Sequence, residues 1–114
     1  MHELGIVFYV IDMVEDLGRE NALTQVASVT LEIGEVSGVL HDYLQDCWQW
    51  ATNRSDLMRG CKLIVEQIPA VTVCNACGRT YPTVAHGKIC PHCGSPDTVL
   101  LRGNEMELKQ IEGA

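Results

Sequence analysis

The sequence lacks any long run of apolar residues. No stretch of its 114 residues approaches the roughly 20 consecutive apolar residues that a membrane-spanning helix needs. The apolar stretch from Leu4 to Ile11 is preceded by Glu3 and interrupted by Asp12. It has neither the positive residues nor the cleavage site of a secretory signal. We therefore expect a cytoplasmic protein that does not associate with a membrane.

Basic side chains are scarce, and this argues against nucleic acid as the main partner. The chain has 8 Lys and Arg against 15 Asp and Glu, for a formal net charge of −7. Residues 1–69 hold 11 acidic and 4 basic side chains, so the acidic excess is concentrated there. Binding a phosphate backbone requires clustered Lys and Arg. An acidic surface suits a cationic ligand or a basic protein, although it also serves simple solubility.

The sequence contains no motif that is typical of an enzyme. It has no glycine-rich loop of the P-loop kind. Ser28, Ser37 and Ser55 have no supporting motif for nucleophilic catalysis. The carboxylates are spread over predicted helix surfaces, where solvation is their ordinary role. We assign no catalytic residue and expect a protein that is not an enzyme.

Two helices and three strands are predicted outside the cysteine-rich part of the chain. Apolar residues recur at helical spacing over residues 4–20 and again over residues 40–51. Apolar and polar residues alternate over residues 27–33, 61–66 and 105–112, as they do in half-buried strands. The last strand is short, and we expect it to return and pair with the earlier strands.

This element order predicts an α/β (α+β) fold with a small three-stranded sheet and two helices. A four-cysteine, zinc-ribbon-like module would be inserted before the last strand. We expect residues 1–69 plus 102–114 to form the α/β domain and residues 70–101 to form the inserted module. Gly34 and Gly38 are interpreted as bracketing a turn after the first strand.

Four of the six cysteines form two Cys-x-x-Cys pairs in the inserted module. The pair Cys74 and Cys77 is separated by 12 residues from the pair Cys90 and Cys93, and a glycine follows each pair. The two thiolates of each pair can reach one ion at about 2.3 Å. Four thiolates form a closed shell with no open position for a substrate, so the sequence predicts a structural zinc site. With little core of its own, the module would depend on the metal to fold.

Iron is the rival metal for this site. The paired motif also resembles the rubredoxin iron site, and a tetrahedral thiolate shell suits both metals. An iron electron-transfer protein, however, would not need the large helical domain that precedes the module. Cys47 and Cys61 fall on predicted core faces and are interpreted as small buried hydrophobic residues. His92, inside the second pair, is interpreted as an exposed loop residue, with exchange for a cysteine at low pH as a hypothesis.

The amino terminus is a second candidate metal site. The bulky His2 would prevent removal of Met1, so the Met1 amine should remain, with an unperturbed pKa of about 7.7–8. This amine, the His2 imidazole and the backbone amides of His2 and Glu3 could supply four nitrogens in one plane. Square-planar nitrogen coordination suits Ni(II) or Cu(II) and does not suit zinc. The Glu3 carboxylate could lie near the metal or could favour the positive end of a helix, and a solvated His2 is the alternative.

Four segments occur in an order that resembles one known family, the HypA/HybF hydrogenase maturation proteins, which are nickel metallochaperones. The segments are Met1-His2-Glu3-Leu4, Leu31-Glu32-Ile33-Gly34-Glu35-Val36-Ser37, Gly60-Cys61-Lys62-Leu63 and the two Cys-x-x-Cys pairs. The resemblance covers essentially the whole chain. It implies a nickel-binding α/β domain with a zinc-binding domain inserted late.

The resemblance also implies site residues and partners. His2 matches the family's nickel ligand, Glu3 matches its neighbour, and the four paired cysteines match the zinc ligands. The implied function is the transfer of Ni(II) during assembly of the [NiFe]-hydrogenase active site. The implied partners are the GTPase HypB and the hydrogenase large-subunit precursor, and some family members also serve urease. A nucleic-acid-binding zinc ribbon would need more basic residues than the nearby Arg79, Lys88 and Arg102.

Overall fold

A computed structural model describes residues 2–114 as two compact units. The first unit contains the chain up to Glu32, Val39–Glu66 and Glu107–Ala114. The second unit contains Ile33–Gly38 and Gln67–Met106. Within residues 2–114, no helix combines the length and apolar character that a membrane span requires.

The structure confirms the predicted α/β class. The elements in chain order are α1 (Glu3–Glu20), β1 (Val26–Gly34), α2 (His41–Thr52), β2 (Lys62–Ile68), β3 (Val71–Cys74), β4 (Thr80–Pro82), α3 (Thr83–His86), β5 (Thr98–Arg102) and β6 (Met106–Gly113). The helices and strands that the periodicity predicts correspond to α1, β1, α2, β2 and β6. The elements β3, β4, α3 and β5 were not predicted individually.

The first sheet has the strand order β2-β1-β6. At the start of β1, the Val26 N–H donates to the Leu57 carbonyl at 2.9 Å, shortly before β2 begins. Just after β1 ends, the Glu35 N–H donates to the carbonyl of Ile68, the last residue of β2, at 2.8 Å. The strands β1 and β2 therefore run in the same direction, and α2 is the crossover that a parallel pair needs.

The strand β6 runs antiparallel to β1. Gln25, before β1, accepts a hydrogen bond from Ala114, after β6, at 2.9 Å. At the other end, the Gly34 N–H donates to the Glu105 carbonyl at 2.8 Å. The last strand thus returns to the first one, as predicted, and leaves β1 in the centre of the sheet.

Both faces of β1 are buried, so the prediction of a half-buried strand is wrong. Ser28 and Thr30 are buried, as are Val29, Leu31 and Ile33, which alternate with them. Lys109 of β6 forms an ion pair with Glu66 of β2 at 2.6 Å, and β1 lies between these strands. Long side chains of the outer strands can therefore cover the short hydroxyl side chains of the central strand.

A second small sheet forms the frame of the cysteine-rich module. Its order is β4-β3-β5, and both pairings are antiparallel. Thr72 of β3 lies opposite Tyr81 of β4 and Leu100 of β5. The Tyr81 hydroxyl donates to the Gly87 carbonyl at 2.9 Å. The buried cluster here contains only Tyr81 and two of the cysteines, so the module has little apolar core.

Candidate metal centres

The first Cys-x-x-Cys pair forms a tight turn that is closed by backbone hydrogen bonds. The Gly78 N–H donates to the Cys74 carbonyl at 2.8 Å, and the Cys74 N–H donates to the Arg79 carbonyl at 2.9 Å. Gly78 has a φ of +77°, a conformation that residues with a Cβ rarely adopt. The glycine after the pair is therefore a requirement of the turn that presents the sulfurs.

The second pair repeats this geometry. The Gly94 N–H donates to the Cys90 carbonyl at 2.8 Å, and the Cys90 N–H donates to the Ser95 carbonyl at 3.0 Å. The φ of Gly94 is +75°. The backbone N–H of His92 lies 3.4 Å from the Cys90 sulfur and donates to it. Two matching turns thus face each other, and backbone donors are directed at sulfur.

The four sulfur atoms are close enough to hold one ion. All four lie within 4.8 Å of one another. The Cys74 and Cys93 sulfurs are 3.6 Å apart, and those of Cys77 and Cys90 are 3.7 Å apart. A tetrahedral ion with bonds of about 2.3 Å would place its sulfurs about 3.8 Å apart. The cluster therefore fits a tetrahedral thiolate-bound metal.

The thiols of this cluster differ sharply in acidity. Burial opposes ionisation of Cys90, but the N–H groups of Cys93 and His92 and the neighbouring thiols lower its pKa to about 6. For Cys93, the Ser95 N–H favours the thiolate, but hydrogen bonds with the other thiols and burial prevail and raise its pKa to about 12. One thiolate thus suppresses ionisation of its neighbours. A bound dication would remove this conflict.

His2 lies at the start of α1, where it caps the helix. Its Nδ1 accepts a hydrogen bond from the Gly5 N–H at 3.4 Å, and its carbonyl accepts one from the Ile6 N–H at 3.1 Å. The imidazole is exposed. The Met1 amine, the other predicted group at this terminus, lies outside the described residues.

Glu3 is directed inward, although it follows an exposed residue. Its side chain is buried, and its Oε2 accepts a hydrogen bond from the Leu40 N–H at 2.9 Å. Leu40 caps the start of α2, so the carboxylate lies at the positive end of that helix. The Leu40 N–H, together with the N–H of Glu3 itself, lowers the pKa of the carboxyl group below its ordinary value of 4.5. No local sequence pattern indicates this contact between two helices.

We expect Glu3→Gln to destabilise the protein at neutral pH more than at acid pH. Because the folded state lowers the pKa of Glu3, its stabilising effect is present above pH about 4.5 and is lost as the pH falls through the folded value. Urea unfolding at pH 7 and pH 3.5 would measure the change. Asp12→Asn, an exposed substitution on the same helix, is the matched control. A stability difference that is equal at both pH values would contradict the role of the Leu40 contact.

The fold and the four-sulfur cluster define a small α/β metal-binding protein. A family model described as "Hydrogenase/urease nickel incorporation, metallochaperone, hypA" matches residues 1–113. The chain belongs to this family, so the resemblance seen in the motifs is confirmed. Its members are nickel metallochaperones that act in hydrogenase maturation.

Individual relatives match along nearly the whole chain. Hydrogenase maturation factor HypA of Geobacter metallireducens is 33% identical over 112 residues, which are 98% of each protein. Hydrogenase maturation factor HybF of Klebsiella pneumoniae is 31% identical over 113 residues, which are 99% of each. The solution structure of the Ni metallochaperone HypA from Helicobacter pylori is 23% identical, with a TM-score of 0.73, and the match covers 99% of this chain and 97% of that one. This structural likeness shows the shared fold.

Proposed function

We propose that this protein binds Ni(II) at its amino terminus and delivers it during maturation of [NiFe]-hydrogenase. A zinc ion held by Cys74, Cys77, Cys90 and Cys93 would keep the second unit folded. The observation that carries the proposal is the position of His2 in a member of a nickel-incorporation family. An exposed imidazole at the second residue lies directly at the start of a long helix.

The backbone at this terminus suits nickel binding through amide nitrogens. Among the described residues, the backbone hydrogen bonds of α1 begin with the one from the Ile6 N–H to the His2 carbonyl, so the amides of His2 and Glu3 lie ahead of the helical hydrogen-bond ladder. The Glu3 N–H contacts its own carboxylate. When nickel binds the His2 or Glu3 amide nitrogen, the amide proton is released to solvent. Its loss would therefore not break a hydrogen bond of the helix.

The His2 side chain can change partners at low cost. Its capping bond to the Gly5 N–H is long, at 3.4 Å, and exposed. A hydrogen bond of this kind contributes at most about 1 kcal/mol, which is small beside a metal–nitrogen bond. The imidazole can therefore leave the helix for nickel and return to it when nickel leaves. Delivery by ligand exchange requires such a reversible step and no catalytic residue.

The proposed partners are the GTPase HypB and the hydrogenase large-subunit precursor, both in the cytoplasm. The acidic excess in residues 1–69 supports docking to basic surfaces and attraction of Ni(II). Delivery to urease is a second route, and the description of the matching family names both enzymes.

Zinc is the proposed occupant of the four-cysteine cluster. The closed thiolate shell leaves no position for a substrate, and a metal-stabilised fold requires no redox change. Metal analysis of protein grown with both zinc and iron should find one zinc per chain. A red, iron-loaded protein that persists when zinc is abundant would contradict this identity.

Nickel titration of the zinc-loaded protein tests the amino-terminal site. The native protein should bind one Ni(II) with a square-planar absorption spectrum and should release protons. His2→Ala and acetylation of the terminal amine should each weaken binding by more than about 100-fold, since loss of an outer-sphere partner alone can cost that much. His41→Ala, at the start of α2, is the matched control and should bind nickel as the native protein does.

Two results would contradict the amino-terminal site. In the first, nickel would bind equally well to the native protein, to His2→Ala and to the acetylated protein. In the second, nickel would bind only by displacing zinc. Zinc content must therefore be measured in every titration.

A further inference from the structure

A shallow groove lies between α1 and α2 in the first unit. It is lined by Leu4 of α1 and by Tyr43, Asp46, Cys47 and Trp50 of α2, and its volume is about 280 Å³. We call this feature the aromatic groove. Its lining is mostly apolar, with Asp46 as its one charged side chain, so it can hold the apolar side chains of another molecule.

Large aromatic side chains remain half exposed along the aromatic groove. The exposed fractions are 50% for Tyr43 and 51% for Trp50. Phe8 of α1, 45% exposed, packs edge to face against Trp50 with ring centroids 6.3 Å apart. Arg54 covers the Trp50 ring at 4.8 Å. Exposed aromatic side chains that cluster in this way mark interaction sites more often than scattered single residues do.

The helices around the aromatic groove are strongly acidic. Between them, α1 and α2 contain seven acidic side chains and one basic side chain. The acidic residues are Glu3, Asp12, Glu15, Asp16, Glu20, Asp42 and Asp46. The basic residue, Arg19, is already paired with Asp16. Glu3 is already bonded to the Leu40 N–H, and Arg54, just after α2, lies over the Trp50 ring. With Asp46 in the groove lining, the net negative charge of the two helices still favours a basic occupant.

We propose that the aromatic groove binds an apolar, basic helical segment of the protein with which this chain exchanges nickel. The inference rests on the proposed nickel function, because Leu4, which lines the groove, is two residues from His2. A segment seated there would bring its own protein close to the nickel-bearing terminus. Nickel could then be transferred without travelling through bulk solvent.

The dimensions of the groove suit two turns of a helix. Tyr43 and Trp50 are seven residues apart on α2, a rise of about 10.5 Å. A helical occupant would present apolar residues at spacings of three and four and carry Lys or Arg beside them. A symmetric contact with a second copy of this chain would instead place two acidic faces together, which like-charge repulsion opposes.

Two synthetic amphipathic helical peptides with the same leucine pattern test the proposal. One carries Lys and the other Glu at its polar positions. With zinc-loaded, nickel-free protein, the Lys peptide should bind at least about tenfold more tightly than the Glu peptide. NMR shifts should cluster on Leu4, Phe8, Tyr43 and Trp50. Phe8→Ser removes the ring that packs against Trp50 and should weaken binding about tenfold. Tyr9→Ser removes an exposed aromatic ring that does not line the groove and should leave binding unchanged.

A charge reversal provides a second test that does not remove an aromatic residue. Asp46→Lys should weaken binding of the Lys peptide and strengthen binding of the Glu peptide. Equal binding of both peptides, shifts on other surfaces, or self-association that Phe8→Ser abolishes would overturn the proposal. Because the peptides are added without nickel, the outcome is independent of the nickel titration. If only peptide binding fails, the proposed role of the groove is wrong. If only nickel binding fails, the proposed function is wrong.

Discussion

Removal of the bound metal is expected to unfold residues 71–102, the cysteine-rich part of the second unit, while the first unit stays folded. The buried cluster of the inserted module consists of Cys74, Tyr81 and Cys90, so two of its three residues are proposed ligands. Structural zinc contributes about 10–16 kcal/mol to the folding of comparable small modules. That is as large as the whole stability of an ordinary domain, about 5–15 kcal/mol. Without the metal, Tyr81 is the one non-ligand side chain of this cluster in the described part of the chain.

The first unit should survive because it has its own core and sheet. If residues 71–102 unfold, they become part of a flexible loop between β2 and β6. The entropy cost of closing a loop rises only slowly with its length, by about 0.6 kcal/mol for each doubling. The strand β6 can therefore still pair with β1.

Two-dimensional NMR during titration with a chelator would measure this difference. Amide signals of residues 71–102 should collapse to unfolded positions, while those of α1 and α2 persist. Cys90→Ser should have the same effect without a chelator. Cys61→Ala, at a buried thiol outside the cluster whose pKa burial raises to about 11, is the control and should retain the metal. Concerted loss of all signals, or no change, would contradict separate folding of the two units.

Gly34→Ala should be among the most destabilising single substitutions in the protein. An added Cβ at this position would overlap the backbone carbonyl of Gly103 and the backbone nitrogen of Asn104. Backbone atoms cannot move aside as a flexible side chain can, so the end of β1 would have to separate from the chain that enters β6. We expect a loss of about 3 kcal/mol or more in the free energy of unfolding.

Gly60→Ala is the matched control for this substitution. Gly60 has a φ of +78°, but no atom lies within 4 Å of its added Cβ. Its cost is therefore the conformational strain alone, about 1–2 kcal/mol. Urea unfolding of the zinc-loaded proteins would give both values. Equal losses for the two variants would show that steric overlap at Gly34 is relieved by a backbone shift.

The periodic spacing of apolar residues predicted the longer helices and strands. The helices α1 and α2 and the strand β6 repeat their apolar positions often enough for a period to be visible. The strand β4, with 3 residues, and the helix α3, with 4, are too short to show one. The module was instead recognised from the spacing of its cysteines, because the chemistry of metal ligation constrains sequence more tightly than a small core does.

Individual contacts between distant segments could not be predicted, although the return of the last strand and the meeting of the two cysteine pairs were. The turn that follows Gly34 is confirmed by the hydrogen bond from the Ser37 N–H to the Gly34 carbonyl, but the requirement for glycine at position 34 comes from the close approach of residues 103–104. Burial of Ser28 and Thr30 depends on the strands that flank β1, and the bond from Leu40 to Glu3 joins two separate helices. In each case the deciding partner lies 30 or more residues away, where local periodicity gives no information.

The pairing of β6 with β1 has a consequence for synthesis of the protein on the ribosome. Thr24 and Ala114, which are hydrogen-bonded at one end of this pair, are 90 residues apart. The edge of β1 that pairs with β6 therefore stays unpaired until the whole module and residues 106–113 have left the ribosomal exit tunnel. Zinc capture by the nascent module would shorten the span between β2 and β6 and hasten closure of the sheet. A shortage of zinc during translation should accordingly prolong the time for which this strand edge is open and favour aggregation of newly made chains.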